Sequence, residues 1–174
     1  MKARSRSSWT LTKHSKLSGM PETFTKTRVK IRRARRTDAK AIAKLSGELG
    51  YPATATQVTA RLRRIAPASQ HAVFIAESPA TGVIGWVHVS IAPLLESDMR
   101  AEVNGLIVAD GQRSAGAGAK LLEAAERWAR SHGCTNVNVR SNVIRERAHA
   151  FYLRQGYEHY KTQKAFRKSL IHPT

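Results

Sequence analysis

The sequence predicts an α/β domain: one central mixed, mostly antiparallel sheet flanked by helices. Three observations carry this. The apolar spacing switches from helical to strand-like and back along the chain. The elements come in the order strand, two helices, three strands, helix, strand, helix, strands, with no internal repeat. A run of small residues, "GQRSAGAGA", separates a strand from an amphipathic helix, where folds of this class bind ligands.

Each element has its own signal. "VKIRRA", residues 29–34, alternates Val29 and Ile31 with cations as a half-buried strand does. Thr37-Asp38 is expected to cap a helix whose stripe is Ala41, Ile42, Leu45 and Leu49 and which Gly50 stops. A second helix over 56–65 shows Val58, Leu62 and Ile65 at helical spacing, with Arg61, Arg63 and Arg64 on a solvated face. "HAVFIAES" and "VIGWVHVS" form a hairpin about Pro79-Ala80-Thr81-Gly82, and a loop through "APLLESDMR" leads to a third strand, "AEVNGLIVAD". The helix of Leu121, Leu122, Ala125, Trp128 and Ala129 follows the small-residue run. Val137 and Val139 mark the next strand, "RERAHAFYLRQG" a helix ended by Gly156, and "YEHYKTQ" with "KAFRKSL" a closing strand pair.

The chain has 174 residues, enough for one domain with a sizeable core. Its net charge of +18 is unevenly placed: residues 1–36 hold twelve Lys/Arg against one acid, Glu22, and residues 37–174 hold eighteen against eleven. Residues 1–28 read as a basic, disordered extension without catalytic role, and 29–174 as the single folded domain. A nucleic-acid arm, a transit-like presequence, and sequence upstream of a true start at Met20 are the three readings of that extension. No apolar run there suits a signal peptide or a membrane helix. With Cys134 alone there is no internal disulfide, and a reducing cytoplasm is the expected compartment. Cys134 stands at the apolar entry to a strand, a place for a small buried residue rather than a nucleophile. No histidine has paired metal-ligand spacing, so no metal site is expected.

The small-residue run leaves backbone amides bare at the start of a helix, which suits an anion; a tight turn before a surface helix is the plainer alternative. Two familiar phosphate loops fail on spacing. In G-x-G-x-x-G the third glycine would fall at Leu121, and a P-loop would need Gly-Lys-Ser/Thr where the chain has Gly116-Ala117-Gly118.

Arg113-Ser114-Ala115-Gly116-Ala117-Gly118 matches R-x-x-G-x-G, after a strand and before a helix, and "RSNVIRERAHAFYLRQGY" follows downstream. In this order the two resemble the GNAT superfamily of N-acetyltransferases over residues 29–170. The alanine of the second motif matches loosely, since Ala148 and Ala150 both precede Phe151-Tyr152. The resemblance implies a GNAT-like fold, the acyl-CoA N-acyltransferase fold, with a splayed strand pair. It implies transfer of an acetyl group from acetyl-CoA to a primary amine of a small molecule or protein, by direct attack in a ternary complex. By the same resemblance, amides from Arg113 to Ala119 hold the pyrophosphate, with Arg113 pairing a phosphate oxygen. The stretch Leu106, Ile107, Val108 holds the acetyl carbonyl and pantetheine beside a bulge that Gly105 permits, and Asn142 contacts the pantetheine arm. A homodimer is common in the family.

Aminolysis of a thioester needs a neutral amine, a donor for the oxyanion and a proton for the departing thiolate. The resemblance implies Glu102 as base and Tyr152 as acid, with the Leu106 amide at the oxyanion. The plainer roles are a strand carboxylate that attracts cations and a ring packed beside Phe151. His88 lies on a neighbouring strand as a second candidate base or a lining residue. Glu48, Glu96, Asp98 and Glu102 are the acids expected to dock a cationic acceptor. Two further functions compete. One is a basic nucleic-acid binder using the extension and Arg32, Arg33, Arg35, Arg36, Arg61, Arg63 and Arg64, although no base-reading motif is present. The other is a GNAT-fold binder of acetyl-CoA without transferase activity.

Overall fold

The computed structural model describes residues 29–65 and 69–170; the basic extension 1–28 lies outside them. Five strands form one sheet in chain order: β1 (Lys30–Arg33), β2 (His71–Ser78), β3 (Gly82–Leu94), β4 (Ser97–Val108) and β5 (Asn136–Val139). The first four pair antiparallel and β5 pairs parallel with β4, so the sheet is mixed as the sequence leads one to expect. Helix α3 (Ala117–Ser131) makes the crossover that a parallel β4–β5 pair requires. Its Leu121, Leu122, Ala125 and Trp128 bury against Val87, Val89, Ala101 and Val103 of the sheet. The opposite face takes α1 (Ala39–Glu48) and α2 (Ala55–Ile65), whose Ile42, Val58 and Leu62 meet Val73 and Ile75. Helix α4 (Glu146–Arg154) follows β5.

Three expectations need correction. "APLLESDMR" is no open loop: β3 and β4 continue through it, and Leu94 pairs with Ser97 across a turn at Leu95-Glu96. Asp38 stands at the start of α1, but its side chain makes no bond to that helix. It accepts instead from the Arg35 amide at 2.7 Å and from Arg32 at 2.8 and 2.9 Å. Arg32 also reaches Glu77 at 3.0 Å, so one guanidinium ties β1, β2 and the approach to α1 together. Burial alone would push the Asp38 carboxyl up; the bonds from Arg32 and Arg35 outweigh it and hold the group below its ordinary range.

The third concerns the closing strand pair, which does not form. Residues 157–170 have no regular secondary structure and no turn or bend. A hairpin needs a reversal, and "YEHYKTQKAFRKSL" contains no Gly, Pro, Asn or Asp to make one.

Candidate active site

The site follows from a difference between the two halves of β4. From Arg100 to Val103 it has β3 on one side and β5 on the other, and then the β5 ladder ends while β3 continues to Val108. At the same place the register with β3 shifts: His88 faces Gly105 and Val89 faces Val103, so Asn104 is the extra residue of a bulge. This is the splayed pair. Alternation then tells which amides look into the gap. The Ala109 amide donates to the Ile84 carbonyl of β3 at 2.8 Å, so the amides of Ile107 and Gly105 face β3 and those of Leu106 and Val108 face away from it. The Val108 carbonyl, on that open side, accepts from Arg113 Nε at 3.1 Å.

Gly105 serves packing rather than the bulge itself. A Cβ there would stand 2.8 Å from Trp86 Cη2, so the missing side chain makes room for the indole. Trp86 Nε1 is shut off from solvent and has no hydrogen-bond partner among the described residues.

The small-residue run divides into two parts. Asp110–Ala115 is a 3-10 helix, in which each amide turns to the carbonyl three residues back, so the amides of Arg113, Ser114 and Ala115 are drawn into a ladder. Gly116 then takes φ +71, a left-handed conformation that favours glycine, and α3 begins at Ala117. The first bond of α3 joins the Lys120 amide to the Gly116 carbonyl at 3.2 Å, and no side chain caps this end. The amides of Ala117, Gly118 and Ala119 are therefore the open ones. Arg113 is engaged twice within the loop, by the Val108 carbonyl and by Asp110. Gly118 has a further role. The Phe151 ring of α4 lies 3.4 Å from where its Cβ would be, so the two sequence motifs meet in space.

Tyr152, next along α4, is partly buried, edge-on to Phe151 at 5.3 Å and tilted against Tyr157 at 5.7 Å. Burial raises its phenol above the ordinary range, against the pull of nearby Arg145. Its hydroxyl has no hydrogen-bond partner among the described residues. Asn142 organises the turn into α4: its Oδ1 accepts from the Ile144 amide at 3.2 Å and its carbonyl from the Arg145 amide at 2.9 Å.

Glu102 lies just before the bulge, with its side chain 23% exposed. Arg140 Nε comes within 2.8 Å of Oε1, yet the N–H is not aligned on that oxygen, which is closed to solvent and accepts no hydrogen bond. Pairing places Ser90 opposite Glu102 and His71 opposite Ser90, so these share one face of the sheet with His88. Asn104 donates to Ser90 at 2.7 Å, and His71 Nδ1 stands 3.2 Å from His88 Nε2. Burial, then the neighbouring His71, lowers His88 to about 4, so its imidazole is neutral near pH 7. Of the other acids, Glu96 and Asp98 sit at the tip of the β3–β4 hairpin, and Glu48 ends α1. Cys134 is buried, and burial raises its thiol, which suits the structural role.

Arg145 and Trp86 were not legible as site residues in the sequence. Arg145 Nη2 donates to the Leu49 carbonyl at 2.7 Å and so ties the start of α4 to the end of α1, across 96 positions of sequence. No local pattern signals such a contact. The cations assigned to nucleic acid are partly spent: Arg32 is held by two carboxylates and Arg33 lies over the Phe74 ring at 4.8 Å. Among the described residues no group of three or more His, Cys, Asp or Glu could hold a metal, and no helix is long and apolar enough to cross a membrane.

Known proteins agree with this geometry. The model of the Acetyltransferase (GNAT) family matches residues 40–157. The chain is 32% identical over 102 residues to the aminoglycoside N(6')-acetyltransferase type 1 of Klebsiella aerogenes, which covers 57% of this chain and 67% of that protein. It is 30% identical over 123 residues to the aminoalkylphosphonate N-acetyltransferase of Salmonella typhimurium, covering 70% and 77%. Among solved structures, the aminoglycoside 6'-N-acetyltransferase AAC(6')-Ih of Acinetobacter baumannii superposes with a TM-score of 0.73 at 16% identity, over 82% of this chain and 99% of that one. AAC(6')-Iy in complex with the bisubstrate analog CoA-S-monomethyl-acetylneamine does so with 0.72 at 21% identity, over 82% and 99%. The family match spans more than half of the chain and contains the splayed strand, the open helix end and the second motif, so the chain belongs to the GNAT family and is an acetyl-CoA-dependent N-acetyltransferase.

Proposed function

We propose that the acceptor is a small cationic primary amine and that Glu102 and Tyr152 are the acid–base pair. The observation that carries this is Glu102, a partly exposed carboxylate beside the place where β4 loses its neighbour and on the same face of the sheet as Ser90 and His88. An ammonium docked against this carboxylate, which Arg140 also faces at 2.8 Å, lies where its proton is removed. Both curated relatives are named for small amine substrates, an aminoglycoside and aminoalkylphosphonates, which supports the small-molecule class.

Acetyl-CoA supplies an activated acyl group, and the chain's part is to hold and polarise it. The Leu106 amide, facing the gap, is the donor assigned to the acyl oxygen, a role worth roughly 3 kcal/mol where single donors have been removed from other enzymes. Val108 offers the next amide along the same open edge, and Ile107 between them shapes the strand. The amides of Ala117, Gly118 and Ala119 and the α3 dipole take the pyrophosphate. Arg113 stiffens the loop through Val108 and Asp110, and Asn142 fixes the turn that presents α4. Tyr152, kept protonated by burial, gives its proton to the departing sulfur. His88, neutral and hydrogen-bonded to His71, lines the acceptor face as a weak proton acceptor rather than the base. The partners of the site are acetyl-CoA and an amine acceptor, and a cytoplasmic location suits both substrates.

A turnover screen over an amine panel, read as thiol release from acetyl-CoA, tests the acceptor class. Aminoglycosides, aminoalkylphosphonates and simple polyamines form one arm, and lysine-containing peptides the other. Faster turnover in the small-amine arm is expected; peptide-only turnover rejects the small-molecule reading.

A further inference from the structure

Arg140 takes no part in the chemistry assigned above, yet it stands at the mouth of the site. Register pairs Glu102 with Asn138 of β5, and Arg140 follows two positions later, on the same face and just past the end of the ladder at Val139. Strands about 4.8 Å apart, with a rise of about 3.3 Å per residue, put the Cα atoms of Glu102 and Arg140 roughly 8 Å from each other. Their side chains close that span, with Nε 2.8 Å from Oε1. The rest of the Arg140 fork is unspent: its side chain is 80% exposed, and Glu102 is its only partner among the described residues. Arg145, by contrast, is committed to the Leu49 carbonyl.

The charges around Glu102 limit what docks there. Arg100, two positions back on β4, shares the face of Glu102 and Arg140, so the carboxylate has a guanidinium on either side. The next acid on this face, Asp98, lies about 13 Å from Glu102 at roughly 3.3 Å per residue, beyond Arg100 and away from the gap. His88 is neutral near pH 7 and meets His71, while Ser90 and Asn104 bond to each other and carry no charge. Glu48 belongs to another element, exposed at the end of α1. An acceptor with one ammonium therefore finds Glu102, but a second ammonium carried toward the gap meets Arg140. An ion pair with so exposed a guanidinium contributes little, so an acceptor parts Glu102 from Arg140 at small cost.

We infer that Arg140 reads a second, anionic group on the acceptor, so that the substrate is a zwitterion: its ammonium lies on Glu102 and, one short spacer away, its carboxylate or phosphonate lies on Arg140. This rests on the reading of Glu102 as the docking carboxylate. A guanidinium presents parallel N–H donors that fit either anion two at a time. Docking exchanges the Glu102–Arg140 pair for two pairs of the same kind, and no charge is left unmatched. Acetylation turns the ammonium into a neutral amide, which has no charge to hold Glu102, and the contact with Arg140 re-forms as the product leaves.

Four acceptors of similar size test this: propylamine, propanediamine, β-alanine and aminoethylphosphonate. Calorimetry on the full chain saturated with CoA, which has no acetyl group to transfer, reads their affinities. The two zwitterions are expected to bind about tenfold or more tighter than propylamine, and the diamine no tighter than propylamine. Arg140→Gln is expected to cut the ratio of zwitterion to propylamine affinity by about tenfold, Arg140→Lys to keep part of it and Arg140→Glu to favour the diamine, with circular dichroism showing all three folded. In turnover the same loss is read in KM rather than kcat. A ratio that Arg140→Gln leaves as it was, equal affinities for all four, no measurable zwitterion binding, or a diamine bound best by the wild type, which assigns the second contact to Glu48, overturns the inference. The small-amine reading fails on a different result, turnover of peptides only; equal transfer to all four amines upholds that reading and refutes this one.

Discussion

In the proposed mechanism Glu102 and Tyr152 divide the proton work, and their surroundings explain how each can be tested alone. In Glu102→Gln the side chain keeps its size and loses the base together with the charge that faces Arg140. Turnover is expected to fall by roughly 10²–10⁴-fold, most at low pH, where the amine is fully protonated and cannot shed its proton to water. Acetyl-CoA affinity, read by calorimetry, should hold. Tyr152→Phe keeps the ring contacts with Phe151 and Tyr157, so a fall of about 10²-fold with an unchanged melting temperature is the expected pattern. Wild-type rates for both variants across pH, with an acceptor in hand, would remove the pair and leave positioning as the source of catalysis. His88 affects stability instead. Its folded value is about 4 against an ordinary 6.5, so between those values the unfolded chain binds the extra proton and stability falls with acid. The loss is present in full only below about pH 4 and amounts to about 3 kcal/mol there. Urea unfolding at pH 7.5 and 4.5 should show a smaller drop for His88→Gln than for the wild type; an equal drop would place the acid sensitivity elsewhere.

At the scale of elements, the strand–loop–helix unit of β4, the 3-10 turn and α3 explains why two glycines stand where they do. Gly116 is required for its left-handed φ of +71 and Gly118 for the close approach of Phe151. A β-branched residue at 116 strains the turn by about 1–2 kcal/mol and tilts the open amides of α3. A large residue at 118 pushes α4 away. Gly116→Val with Gly118→Leu should weaken acetyl-CoA binding by about ten- to hundredfold, the loss of one or two charge-assisted hydrogen bonds. Unchanged calorimetric affinity in that double variant would exclude this helix end as the phosphate site.

For the whole molecule, charge and fold separate along the chain. The described fold starts with Val29 already in the core, and every proposed catalytic or cofactor-binding residue lies between Glu102 and Tyr152. Removal of residues 1–19 should therefore leave kcat within about twofold and lower any salt-sensitive binding to nucleic acid. A truncated chain that folds but no longer transfers acetyl groups would make the extension part of the site.

The sequence by itself determined the order and kind of the elements through β5 and α4, because apolar periods of 2 and 3.6 residues are local properties of a chain. It also marked the helix end at Gly116 and the aromatic pair Phe151-Tyr152, because both are local motifs. Tertiary structure alone decided the rest. That β5 stops opposite Val103, that Asn104 bulges, and that Trp86 takes the space above Gly105 depend on which strands become neighbours. The bond from Arg145 to Leu49 and the ion pair of Arg140 with Glu102 arise between distant segments, whose approach no window of the sequence records. The last fourteen described residues make the same point in reverse. Strand-like composition is visible there, but a strand exists only where an edge pairs with it, and residues 157–170 have no regular secondary structure.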